Sequence, residues 1–121
     1  MSLQTFLAIG SGGFIGAILR AYLNGVISHK LPHELPFGTL GVNLLGSFVM
    51  GILIAYFMYT NIFSLSVKSF LSTGILGALT TYSTFAIESF LLLEGGHIVL
   101  ALANISLNAF GSIFMAVVAF T

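Results

Sequence analysis

Gly74-Ile75-Leu76-Gly77-Ala78-Leu79-Thr80-Thr81-Tyr82-Ser83-Thr84-Phe85 is the stretch that decides how this chain folds. It lies inside a long apolar run, at a depth where a membrane helix has no reason to be polar. Two glycines loosen the backbone, and hydroxyl and aromatic residues follow at once. Polar groups in hydrocarbon are costly and mark pathways or sites. Irregular backbone at that depth persists only where protein buries it or a cavity adjoins it. The stretch therefore predicts a break in a membrane-spanning helix, and with it the working part of a small membrane protein.

The composition agrees. Of 121 residues, 58% are hydrophobic and 5% charged, against about 25% charged in soluble domains. So few charges could not cover a water-facing surface. Lys+Arg number 3, and so do the acids, all of them Glu (Glu34, Glu88, Glu94). That balance, with no basic run, leaves no electrostatic footprint for nucleic acid. Without Cys there is no disulfide framework, thiolate metal site or cysteine nucleophile. Without Asp there is no Ser-His-Asp triad and no aspartate-held Mg2+. His29, His33 and His97 share no helical face, which argues against a histidine metal site. The chain reads as a non-enzyme. Its first residues carry no positive charge and predict no cleaved signal peptide.

A spanning helix needs about 20 mostly apolar residues. Four segments qualify, at about 3–27, 37–59, 64–93 and 97–120, within a single transmembrane domain over 1–121. These runs are too long and too uniformly apolar for barrel strands. The expected fold is an all-α membrane protein of four transmembrane helices. The third, as one straight helix, would be ~45 Å long against a hydrocarbon core of ~30 Å. Tilt could absorb part of that excess. A break near 77–81 is the alternative, and it would free carbonyl oxygens of the kind that ligate cations.

Positions i, i+3, i+4 and i+7 share a helix face. Asn43, Gly46, Ser47 and Met50 form such a face in the second segment. Thr81, Thr84, Phe85 and Glu88 form one in the third, and Asn104, Asn108, Gly111 and Ser112 one in the fourth. Each stripe alone could be interhelical glue, but three together favour a polar conduit. Hydroxyls and carboxamides offer neutral hydrogen-bond donors, which suit a small anion. No carboxylate or His sits mid-conduit to couple a proton. The ring of Phe85 has a positive edge that can face an anion; plain packing is the other reading of that residue. Arg20 reads equally as a snorkelling interface residue or as an electropositive vestibule.

Asn43-Leu-Leu-Gly46-Ser47-Phe-Val-Met50 and Asn108-Ala-Phe-Gly111-Ser112-Ile-Phe-Met115 match, as do Gly13-Phe-Ile-Gly16-Ala17 and Gly74-Ile-Leu-Gly77-Ala78. Either two helix pairs are duplicated, or small-residue packing faces recur, as they do in membrane bundles.

Four motifs in order now identify a resemblance. They are Gly12-Gly13-x-x-Gly16-Ala17-x-x-Arg20, then Pro36-x-Gly38-Thr39-Leu40-x-Val42-Asn43-x-x-Gly46-Ser47. Gly77-x-x-Thr80-Thr81-x-Ser83-Thr84-Phe85-x-x-Glu88 follows, and Ala103-Asn104-x-x-x-Asn108-x-x-Gly111-Ser112 is last. Nearly the whole chain is similar to the Fluc (CrcB-type) fluoride channels. The resemblance implies a multi-pass protein of the cell (inner or plasma) membrane that passively exports fluoride and lowers its cytoplasmic concentration. It implies an antiparallel, dual-topology homodimer with two pores and a central structural Na+ that is not transported. Asn43 would line the pore with Ser47, and Tyr82 and Phe85 would present ring edges to fluoride. Thr81, Ser83 and Thr84 would flank the polar track with Asn108 and Ser112. Main-chain carbonyls of Gly77 and Thr80 would hold the Na+. Arg20 and Glu88 would belong to the vestibule. Tyr82 departs from the pattern, because the family commonly has Phe there and tyrosine adds a hydroxyl.

Two rival classes remain. A small multidrug-type proton-coupled antiporter also has about four helices, but it depends on a carboxylate in the first, where this chain has none. A structural membrane subunit could use the polar residues as glue, but it gives the break in the third helix no purpose. The dimer expectation has a charge argument as well. Lys30 and Arg20 lean to one side and Lys68 to the other, too small a bias to fix one orientation.

Overall fold

The computed structural model describes residues 1–121 and is all-helical. Helix α1 is Leu3–Lys30 and α2 is Phe37–Tyr59. The third span is α3 (Leu65–Ser69), a π-helical stretch (Phe70–Leu76), α4 (Gly77–Leu79) and α5 (Tyr82–Glu94); α6 is Ile98–Phe120. Four spans, Leu3–Lys30, Phe37–Tyr59, Leu65–Glu94 and Ile98–Phe120, are long and apolar enough to cross a membrane. Large apolar side chains such as Phe6, Phe14, Phe110 and Phe114 stand exposed on the outside, as on a surface that meets lipid or another apolar partner.

The helix ends follow from local chemistry. Ser2 caps α1 by accepting a hydrogen bond from the Thr5 N–H at 3.1 Å. The helix runs on to Lys30 rather than stopping near 27. His29 and Lys30 in its last turn favour the negative end of the helix dipole. Pro32 then disfavours helical backbone at Leu31. Gly96 ends the third span with φ +85, a conformation a side chain would strain. Its neighbours complete a Schellman closure: the His97 N–H donates to the Leu92 carbonyl at 2.8 Å and the Gly96 N–H to that of Leu93 at 3.1 Å.

Short connections make α1 run parallel to the third span, and α2 parallel to α6. Each pair keeps a fixed register. Thr5 meets Ser66, 61 residues further on, at 3.5 Å; Gly12 then meets Gly74, and Gly16 meets Ala78. Asn43 bonds Asn108, 65 residues on, and Gly51 meets Ala116 at the same separation. The matching motifs of α2 and α6 thus pack against each other at equal height, and those of α1 and the third span lie one residue out of step. Close approach requires glycine at the first crossing: a Cβ on Gly12 would lie 3.0 Å from the Gly74 Cα, and one on Gly16 would overlap the Ile75 carbonyl oxygen. The side of each loop is fixed too. His97 lies 3.4 Å from Glu34 across one end, and the rings of Tyr59 and Phe120 pair at 6.3 Å across the other.

The third span breaks where expected. Thr80 (φ −84, ψ 156) and Thr81 (φ −148, ψ 121) are extended. The π-helical stretch before them was not legible in the sequence. Within it the Ser72 hydroxyl donates to the Lys68 carbonyl at 2.6 Å, a back-bond that bends helices.

Gly16→Val is expected to destabilise the bundle by roughly 1–3 kcal/mol through overpacking against backbone. Gly13→Ala, where a Cβ meets nothing within 4 Å, should cost little. Thermal unfolding of both variants in detergent checks the contrast, and equal midpoints would refute the α1 crossing.

Candidate functional site

Two consecutive extended residues deprive the third span of its hydrogen-bond ladder. In low dielectric, unmet N–H and C=O groups are expensive. Asn43, on α2, answers both. The Thr81 N–H donates to Asn43 Oδ1 at 2.8 Å, and Asn43 Nδ2 donates to the Thr81 carbonyl at 3.1 Å. The carboxamide thus acts as a surrogate peptide group beside the break. The helix restarts under its own cap: Thr81 Oγ1 accepts from the Thr84 N–H at 3.3 Å and donates to Thr84 Oγ1 at 3.1 Å. Thr80 folds its hydroxyl back on the Leu76 carbonyl at 3.1 Å. Its methyl occupies the space left by Gly46, where any Cβ would collide with Thr80 Cγ2.

Beside this break lies a cavity of about 420 Å³. Its walls come from α2 (Asn43, Ser47), from the break and α5 (Thr80, Thr81, Tyr82, Phe85), and from α6 (Ile105, Asn108, Ala109, Ser112). No lining side chain carries a formal charge. Seven of the expected pore residues therefore meet here: Asn43, Ser47, Thr81, Tyr82, Phe85, Asn108 and Ser112. Ser47 and Ser112 are half-buried and lie in equivalent motif positions of parallel helices, so two hydroxyls share one height. The Tyr82 and Phe85 rings stand edge to face, centroids 5.5 Å apart at 75°. Phe85 is buried, whereas Tyr82 is 81% exposed.

The remaining expected residues lie elsewhere. Ser83 is exposed and Thr84 half-buried; neither lines the cavity. Thr84 serves the helix cap instead. Gly77 is exposed on the outer face. Arg20 and Glu88, paired as vestibule residues in the sequence reading, are not brought together. Arg20 is half-buried on α1 and lines neither this cavity nor a second one, of about 370 Å³, where Glu88 meets His33, Glu34 and His97. There one Glu88 carboxylate oxygen and the fully buried Thr39 hydroxyl lie near each other, short of hydrogen-bond geometry and with no other partner.

Sequence reasoning did not assign Thr39, Ser89 or Asn104 a role in the site. The signal was present. Thr39 extends the Asn43 stripe by one turn, and Ser89 lies one turn beyond Phe85. Asn104 belongs to the fourth-helix stripe already described.

Residues 7–120 match the family described as CrcB-like protein, Camphor Resistance (CrcB). A relative from Sulfurimonas denitrificans, named Fluoride-specific ion channel FluC, is 84% identical over 116 residues, which cover 96% of this chain and 90% of that protein. Proteins of the same name from Nautilia profundicola and Campylobacter jejuni are 50% and 46% identical over 96% and 94% of this chain, and 91% and 93% of their own.

Asn43→Asp should destabilise the break. A carboxylate keeps the Thr81 N–H but sets oxygen against oxygen at the Thr81 carbonyl and at Asn108 Oδ1. A cost on the order of 3 kcal/mol is expected for buried acceptors facing a charge. Hydrogen exchange around residues 80–82 would report it as faster opening, and unchanged exchange would contradict the surrogate-peptide role.

Proposed function

The chain belongs to the CrcB-like family, and from that premise we propose that it is a fluoride-selective channel, passing fluoride passively out of the cell and lowering its cytoplasmic concentration. The observation that carries the reading is the uncharged polar cavity at the helix break, with an aromatic pair standing edge to face at its side. A small, strongly hydrated anion needs dense hydrogen-bond donors in place of its water. Ser47 and Ser112 supply hydroxyls there, and the ring edges of Phe85 and Tyr82 supply positive quadrupole. No cavity residue can take up a proton at neutral pH, which favours passive conduction over the antiporter reading. Glu88, with Thr39 beside it, belongs to the second cavity at one end of the path. Arg20, a cation in the interior of α1, would raise anion concentration on its side.

The functional unit in this reading is an antiparallel, dual-topology homodimer in the cell membrane. The chain carries only Arg20, Lys30 and Lys68 as cations, too few to bias insertion strongly. A structural Na+ at the dimer centre fits the residues present. The Thr81 N–H, which would bond the Gly77 carbonyl in a continuous helix, goes to Asn43. Thr80 is extended, and its hydroxyl is committed to Leu76. The main-chain oxygens of Gly77 and Thr80 are therefore among the carbonyls the break releases, and carbonyls released by unwound helix suit Na+. Two carbonyls from one chain leave room in the shell for the same pair from a second. The ion would supply positive charge that ties two breaks together.

The reading is tested with purified protein in proteoliposomes and a fluoride electrode. Fluoride-loaded vesicles should empty when charge is balanced, and chloride-loaded vesicles should not. Absence of fluoride release would sink the proposal. Phe85→Ile keeps apolar bulk and removes the quadrupole; it should slow release at least about tenfold, as befits loss of one ion contact. Wild-type rates in a folded variant would make Phe85 packing only.

Replacing Na+ by a large organic cation throughout purification should lower dimer stability. If the association state and flux are both unchanged, the central ion is not Na+ held by these carbonyls.

A further inference from the structure

The donors of Asn43 are fully engaged inside the protein. One N–H of Nδ2 goes to the Thr81 carbonyl and the other to Asn108 Oδ1 at 2.8 Å. Asn108 Nδ2 in turn donates to the Asn104 backbone carbonyl at 2.9 Å and to Asn104 Oδ1 at 3.0 Å. Asn104 Nδ2 donates to Ser89 Oγ at 2.9 Å, and the Ser89 hydroxyl donates to the Phe85 carbonyl at 2.8 Å. This is one directed chain of hydrogen bonds through α2, α6 and α5. It begins on the backbone of Thr81 and ends on that of Phe85.

Amide oxygen and nitrogen have nearly the same shape, so partners of fixed polarity must set each carboxamide's orientation. Backbone groups do this at both ends. The Thr81 N–H and C=O leave Asn43 one orientation. The Asn104 backbone carbonyl requires Nδ2 of Asn108 on its side and turns Asn108 Oδ1 toward Asn43. Asn108 therefore faces Asn43 as an acceptor. Asn104 is wholly buried, and Ser89 and Asn108 nearly so. Neither Asn104 nor Ser89 lines the cavity. Buried amides without an anion ligand of their own, arranged head to tail behind a lining residue, have a positioning geometry.

We propose that Asn104, backed by Ser89, is a positioning residue of the conduit. Through Asn108 it holds in place the Asn43 carboxamide that the Thr81 backbone orients, and through Ser89 it anchors the turn that carries Phe85. Asn108 belongs to this support and not to the set that donates to the ion. The inference rests on the conduit reading above. It also makes a structural claim that stands apart from flux, namely that the order of the Thr81 break depends on residues 89 and 104.

Ser89→Ala removes the hydroxyl with minimal change of volume. It should slow fluoride efflux about tenfold, the effect of one lost hydrogen bond to a buried group. Exchange of the Thr81 amide should rise by a similar factor while amides of α1 keep their rates. Ser89→Thr, which retains the hydroxyl, should recover most of both. Asn104→Leu should act more strongly in the same direction. In an Asn43→Ser background, where the Thr81 amide has already lost its partner, Ser89→Ala should add less than about twofold, because the two act through one chain of bonds. Wild-type Thr81 exchange in Ser89→Ala would overturn the proposal. So would effects that multiply independently in the double variant, or a uniform rise across α1. If Asn104→Leu fails to fold, the Ser89 pair decides the question alone. If the unaltered protein releases no fluoride, the channel reading fails, and Thr81 exchange still decides the positioning claim.

Discussion

The pairing of the Asn43 carboxamide with the backbone of Thr81 is the constraint on which the rest of the structure depends. A helix broken inside a membrane exposes a donor and an acceptor at once, and water is not there to meet them. A side chain that answers both must itself carry both. Asparagine does so in nearly the geometry of a peptide, which serine, threonine or a carboxylate cannot match. With the Thr81 backbone satisfied from α2, α5 can restart under the Thr81 cap. Tyr82 and Phe85 then fall in its first turn and adjoin the cavity. The break is thus a specified feature with a defined partner.

What holds Asn43 at the right height is the pairing of parallel helices. Apolar helices gain little from meeting each other in lipid, since the surrounding tails are equally apolar. Contact must come from close approach and from polar bonds. Both occur here. Gly12 and Gly16 let α1 lie against the third span, with Gly74 and Ala78 opposite. Equivalent Asn residues bond between α2 and α6. A motif that recurs in two parallel helices meets itself only if the register matches, and the common separation of 65 residues at Asn43–Asn108 and Gly51–Ala116 shows that it does. The internal similarity seen in the sequence therefore has a packing meaning, whatever its origin.

Four spans, the break and most of the cavity wall were legible in the sequence, because spans are long apolar runs and a polar residue in hydrocarbon stands out. Where the expected residues lie apart from the cavity, the break is one cause. The stripe through Thr81, Thr84, Phe85 and Glu88 assumes an unbroken helix above and below it. In the structure Thr81 is outside the helix as its cap, so Thr84 turns back to it while Glu88 reaches a separate cavity. Ser83, within α5 and outside that stripe, is exposed and does not line the cavity. The π-helical stretch had no signature, since Phe70–Leu76 reads as ordinary apolar helix. Hydrogen-bond direction was hidden too. A stripe of asparagines announces polarity, but only backbone partners decide which face of each amide is a donor.

The saturation of Asn43 changes how selectivity should be argued. A lining amide with free N–H groups would attract any anion that fits. Here those groups are used within the chain, and the cavity keeps the Ser47 and Ser112 hydroxyls and the Tyr82–Phe85 ring pair among its lining. These are weak individually, so they favour an ion small enough to approach several at once. A larger halide sheds its water more easily but reaches fewer of them, so the site discriminates only where close contacts outweigh the stronger hydration of the small ion. Tyr82, exposed over most of its surface, cannot enclose such an ion by itself. Its outer face needs a second surface, and under the proposed assembly another copy of the chain supplies it. Selectivity would then belong to the dimer, with the single chain contributing a rigid half-site whose rigidity originates at Thr81.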